Sequence, residues 1–108
     1  MADLANEICG MDSDIIIKHQ YVKKYLYMMV VEQLLDDYRQ QGYEIKTRYP
    51  ISSTLRADLF AVRGDERVVI ELVDGQISSE ALHRLQSIVA NEGFTLRIVD
   101  ISKVRLEN

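Results

Sequence analysis

Cysteine occurs once in the 108 residues, at Cys9, which excludes an intrachain disulfide and a thiolate metal cluster. A reducing compartment suits such a chain, so a cytoplasmic protein is expected. Long apolar runs are missing as well. The longest, Tyr25 to Val31, is too short to span a bilayer, and no membrane partner is expected. Nor is there an excess of positive charge: 13 Lys and Arg against 17 Asp and Glu leave a formal charge of -4. That balance gives no global attraction to nucleic acid or to an anionic membrane, so any such contact has to come from a local patch. Repeats, low-complexity tracts and linkers are absent, and the opening MADLANEICG has neither the basic start nor the apolar centre of a signal peptide.

What is present is ordinary globular composition, 47% hydrophobic and 28% charged, and the length suits one domain. Residues 1–108 therefore read as a single domain, with a lead-in over residues 1–20 and a core over residues 21–101. The stretch DIIIKHQ is compatible with a short strand or with the start of the next helix. From about Tyr21 to Gln41, Val22, Tyr25, Leu26, Met29, Val30, Leu34, Leu35 and Tyr38 recur at three and four, which predicts a helix with Gly42 as its stop. Its middle, YLYMMVV, is apolar on every side. A helix greasy all round is normally covered all round, and in so short a chain a second copy is the expected cover: a homodimer through the helix containing Tyr25 to Val31.

Three strands follow: YEIKTRYP, ending at the only proline, then LRADLFAVR, then the valine- and isoleucine-rich RVVIELV. SSEALHRLQSIVANEG reads as a second helix with a serine N-cap and Gly93 as terminator, and FTLRIVDI as a last strand. The expected fold is α/β, in the order α-β-β-β-α-β, with a mixed sheet flanked by helices because the central apolar strand needs cover on both faces.

Within VVIELVDG, Glu71 sets a carboxylate in the middle of that apolar strand. Burying a charge costs several kcal/mol unless it is paired, protonated or metal-bound, so the position calls for a partner. Gly64-Asp65 has glycine first, as a two-residue type II′ hairpin turn prefers. With that turn Arg63 faces Glu66, and Asp58 falls opposite Glu71. With a four-residue loop from Gly64 to Arg67, Asp58 faces Val73 and remains a diagonal neighbour of Glu71 on the same face. Either way the partner of the acid is another acid.

Like charges facing each other destabilise a sheet. A divalent cation gives the arrangement a reason. Mg²⁺ or Mn²⁺ takes oxygen ligands, commonly one or two carboxylates with water and substrate phosphate, and the backbone carbonyl of Leu72 is a further candidate ligand beside Asp58 and Glu71. The alternative is a salt-bridge cluster in which Arg56, two residues from Asp58 on the same face, neutralises one acid.

The order of elements, with RADLFAV on the second strand and VVIELV on the third, resembles the PD-(D/E)xK, or restriction-endonuclease-like, superfamily over about Tyr25 to Ile101. Together with VVEQLLDDYRQQGYEI it is similar to the arrangement in Holliday-junction resolvase-like nucleases. The resemblance implies a restriction-endonuclease-like core and a metal-dependent phosphodiesterase acting on DNA, with Glu32, Asp58 and Glu71 as the carried-over site residues. Two positions depart from the pattern: Ala57 stands where the superfamily has proline, and Val73 stands where it has the catalytic lysine.

An ammonium at that place would orient or activate water and stabilise developing negative charge, which valine does not do. Either the site is silent, or another cation serves it. Lys46 and Arg48 on the first strand are candidates, since a five-residue loop Pro50 to Thr54 would set Lys46 opposite Asp58. An exposed strand lysine is the plain alternative for Lys46, and a solvated helix residue for Glu32. Arg48, Arg56, Arg84 and Gln86 are the candidate contacts to a DNA backbone, with a solvated helix face as the alternative for Arg84 and Gln86. The catalytically silent form of the same fold, acting as a dimeric binding or assembly module, is the competing expectation for function.

Overall fold

The computed structural model describes residues 13–103. The chain runs α1 (Ser13–Gln40), β1 (Glu44–Pro50), β2 (Arg56–Arg63), β3 (Glu66–Val73), α2 (Ser79–Asn91) and β4 (Thr95–Asp100), closing on a 3-10 turn at Ile101–Lys103. This is an α/β architecture with a four-stranded mixed sheet in the order β1-β2-β3-β4. The first three strands are antiparallel neighbours, and β4 lies parallel to β3 after the α2 crossover. Residues 13–20, expected in the lead-in, belong to α1. No glycine or proline interrupts the segment from Ser13 to Gln40, so nothing stops the helix from extending that far. Cys9 and the rest of the lead-in lie outside the described residues.

Both helix ends follow from local sequence. Gly42 has φ +88, and the hydrogen bonds Tyr43 N–H to Tyr38 C=O at 3.0 Å and Gly42 N–H to Arg39 C=O at 3.0 Å close α1 in a Schellman motif. The hydrophobic contact that accompanies such a motif is here an edge-to-face pair of Tyr38 and Tyr43 with ring centroids 5.0 Å apart. α2 repeats the device: Phe94 N–H reaches Val89 C=O at 3.1 Å, with Gly93 N–H on Ala90 C=O at 2.9 Å. At its start Ser78 Oγ accepts the Ala81 N–H at 3.1 Å, which identifies Ser78 as the N-cap.

The sheet separates two apolar clusters. On one side Val30, Leu34 and Tyr38 of α1 pack with Ile45, Leu59, Ala61, Ile70 and Ile101. On the other, Val89 of α2 packs with Ile51, Ala57, Phe60 and Val69. Leu59, Ile70, Val69 and Val89 are the largest fully buried side chains, each contributing roughly 1.5–3 kcal/mol by burial. A helix of 28 residues is about 42 Å long, whereas strands of six to eight residues reach only about 20–27 Å. α1 therefore extends past the sheet, and along the stretch that does meet it Tyr25 (59% exposed), Met28 (55%) and Met29 (40%) stand in the open. Among the described residues, no helix is long and apolar enough to cross a membrane.

Candidate functional site

The turn between β2 and β3 is the two-residue one. Gly64 has φ +58 and Asp65 is not left-handed, the signs of a type II′ turn, and Arg63 pairs with Glu66. The regular ladder continues to Leu59 opposite Ile70 and stops there. At the next position the strands are joined by side chains. Glu71 Oε2 accepts the backbone N–H of Asp58 at 2.8 Å, and Asp58 Oδ2 accepts the backbone N–H of Leu72 at 2.8 Å.

The β1–β2 ladder breaks at the same place. Thr47 pairs with Leu59 and Tyr49 with Ala57, while Arg48 and Asp58 between them are not paired. Arg48 has φ +52, the only left-handed non-glycine backbone among the described residues, a conformation that costs a long side chain of order 1–3 kcal/mol. Ala57 and Phe60 both belong to the α2-side cluster, although strict alternation puts residues three apart on opposite faces. One residue is therefore out of phase between them, and Asp58 meets the Tyr27 side chain of α1. Asp58, Glu71 and the left-handed Arg48 thus form one irregular row across three strands.

Burial pushes the Glu71 carboxyl up to about 7 from an ordinary 4.5; the Asp58 N–H hydrogen bond opposes this, while the charge and carboxyl of Asp58 add to it. The Tyr27 hydroxyl is also raised, first by burial and then by the charge of Asp58, with Arg48 pulling the other way and a hydrogen bond to Asp58 adding to the rise. Tyr27, Arg48, Arg56, Ala57 and Asp58 line one cleft of about 350 Å³. Arg56 is not spent on either acid: its guanidinium donates to the Arg48 carbonyl at 2.9 Å. Among the described residues no lysine or arginine forms an ion pair with Asp58 or Glu71, which goes against the salt-bridge alternative.

Two placements differ from expectation. Lys46 does not face Asp58; it pairs with Phe60 and lies exposed, its Nζ 5.6 Å from the Tyr49 ring centroid. The loop has the expected five residues but begins one later, at Ile51. That side chain is buried in the α2-side cluster, and Ile51 and Ser52 N–H both bond the Leu55 carbonyl, so every pair shifts by two. Arg48 consequently takes the place opposite Asp58. Glu32 is likewise not brought to the pair: it is exposed on α1 and lines a separate concavity with Met29, Gln33, Leu35, Asp36 and Arg39. Five residues along a helix means about 140° of rotation, so the phase that brings Tyr27 to Asp58 turns Glu32 away. Tyr27 is the residue that sequence reasoning missed, since helical spacing among apolar neighbours reads as core or interface.

Arg84 and Gln86 are exposed on α2 and neither lines the cleft; Arg84 sits 3.8 Å from Glu80 in an exposed helix pair. Val73 is partly buried beside Asp100 of β4. Among the described residues no three His, Cys, Asp or Glu side chains converge as a metal group, so the acids stand as a pair. A pair still fits a hard cation that keeps most of its waters. Within an extended residue N–H and C=O point to the same neighbouring strand, so the Leu72 carbonyl lies on the side where its N–H meets Asp58. Compared with protein-family models, with curated proteins and with solved structures, the chain matches none.

Proposed function

We propose that Asp58 and Glu71 hold Mg²⁺ or Mn²⁺, with Leu72 C=O as a third oxygen donor, in a PD-(D/E)xK-like, restriction-endonuclease-like protein that hydrolyses phosphodiester bonds in DNA through a degenerate site. The observation that carries this reading is the meeting of two half-buried carboxylates at a gap in both ladders, with no described cation between them. Two acids so placed keep a proton at Glu71 near neutrality, and a divalent ion would displace that proton and relieve the repulsion. Bound there, such an ion acidifies water and neutralises charge on a phosphate. Asp58 and Glu71 would bind and orient it, with the Tyr27 hydroxyl beside Asp58 in the same cleft.

Calorimetric titration with Mn²⁺ tests the reading. Wild type should give binding heat and Asp58→Asn should not; no heat in either removes it. Given binding, incubation with branched, single-stranded and duplex DNA reads out hydrolysis, and Val73→Lys should raise it by restoring an ammonium two residues after Glu71.

A second reading has its own observation. Val73 in place of a lysine and the exposed Tyr25, Met28 and Met29 support a silent member of the same fold that assembles as a homodimer through the stretch of α1 from Tyr25 to Val31. Light scattering after size exclusion separates the two: a monomer defeats the dimer, and a dimer with Mn²⁺ heat but no hydrolysis of any DNA favours the silent form.

A further inference from the structure

We propose that Arg48, with Arg56 and the Tyr27 hydroxyl, holds a nucleic-acid phosphate against the Asp58–Glu71 pair and supplies the positive charge that Val73 lacks. The proposal rests on the reading of that pair as a cation site. Four observations converge on it. Arg48 stands opposite Asp58, at the position both flanking pairs leave open. Its backbone is left-handed at φ +52, a conformation that long side chains adopt rarely and that surrounding structure has to hold in place. Arg56 ties its guanidinium to the Arg48 carbonyl at 2.9 Å, so the two basic residues are placed together. Both line the cleft of about 350 Å³ that contains Asp58 and Tyr27.

Neither arginine forms an ion pair among the described residues, which leaves the Arg48 fork and the remaining N–H groups of Arg56 as donors lining the cleft. A guanidinium presents parallel N–H groups that match the oxygens of a phosphate. The two guanidinium groups offset the neighbouring carboxylates, so a phosphate is held at low salt without the ion, more weakly than with it. A phosphodiester reaching the cleft therefore meets its positive charge from the arginines on one side and from the proposed ion on the other. Lys46, exposed and directed over Tyr49, takes no part.

Fluorescence anisotropy with short fluorescein-labelled oligonucleotides, single-stranded and duplex, tests this on the full chain at low salt without divalent cation. Three variants decide it. Arg48→Gly removes the guanidinium while relaxing the left-handed backbone, so it keeps the fold; Arg48→Lys keeps the charge but loses the fork; Arg84→Ala removes an exposed arginine elsewhere. Arg48→Gly should weaken binding about tenfold or more and lower the slope of log affinity against log salt by about 1. Arg48→Lys should recover part of the loss, and Arg84→Ala should bind as wild type. Equal affinity of Arg48→Gly and wild type, or no binding by wild type, overturns the proposal. Mn²⁺ calorimetry on wild type is independent: missing heat there sinks the cation reading, while the metal-free oligonucleotide affinities still judge Arg48.

Discussion

Asp58 and Glu71 each hold the other's strand: Glu71 Oε2 takes the Asp58 N–H and Asp58 Oδ2 takes the Leu72 N–H, both at 2.8 Å. The two acids thus do the work of a ladder pair at the point where the ladder stops. That arrangement satisfies two backbone donors, and it places like charges together, so its stability depends on the proton that Glu71 retains.

The first consequence is a pH dependence of folding. Glu71 is raised to about 7 in the folded protein from 4.5, so the folded state binds more protons between those values. Its contribution is fully present below about pH 4.5 and is lost as pH rises through about 7. For a half-buried carboxyl the loss should be about 1–2 kcal/mol, read from urea unfolding in chelator across that range. Glu71→Gln should flatten this part of the profile.

Removing the charge of Asp58 should act on Glu71 in turn. In Asp58→Asn the Glu71 titration, followed by carboxyl NMR, should move down from about 7 yet stay above its ordinary 4.5, since burial is the larger cause. A Glu71 that titrates unchanged in this variant contradicts the coupling.

The Leu72 N–H gives Asp58 a structural role separable from charge. Asp58→Ala leaves that half-buried donor without its acceptor and should destabilise by about 1–2 kcal/mol, whereas Asp58→Asn, which keeps an acceptor oxygen, should cost about half that or less. Denaturant midpoints at one pH well below 4.5, where Glu71 is protonated in the folded and unfolded states alike, make the comparison.

At the end of α1 the cost is purely conformational. A Cβ on Gly42 would lie 3.7 Å from the Arg63 Cδ, an ordinary contact, but on a backbone with φ +88. Gly42→Ala should therefore destabilise by about 1–2 kcal/mol without disturbing packing, and a thermal unfolding temperature equal to wild type would contradict it.

On the exposed face of α1, Met28→Glu replaces an exposed methionine and should leave the unfolding midpoint of the monomer unchanged while shifting light-scattering mass toward the monomer. Retention of wild-type mass in Met28→Glu would place any self-association elsewhere.

Much of the molecule follows from local chemistry that a sequence carries openly. Gly42 and Gly93 end their helices because only glycine takes a left-handed backbone at little cost. The two-residue turn at Gly64-Asp65 settles the β2–β3 register, and with it the meeting of Asp58 and Glu71. The identity of their neighbours was a tertiary matter. The β1–β2 loop has five residues, and loops of that length leave register open until a side chain, here Ile51, finds its place in the core; that choice brought Arg48 rather than Lys46 to Asp58. The rotational phase of α1, set by burying Val30, Leu34 and Tyr38 against the sheet, likewise presented Tyr27 to the acids and turned Glu32 outward. Periodicity marks which face of a helix is apolar, but which residue of its rim meets a particular strand position depends on where the packed core stops the helix from sliding and turning.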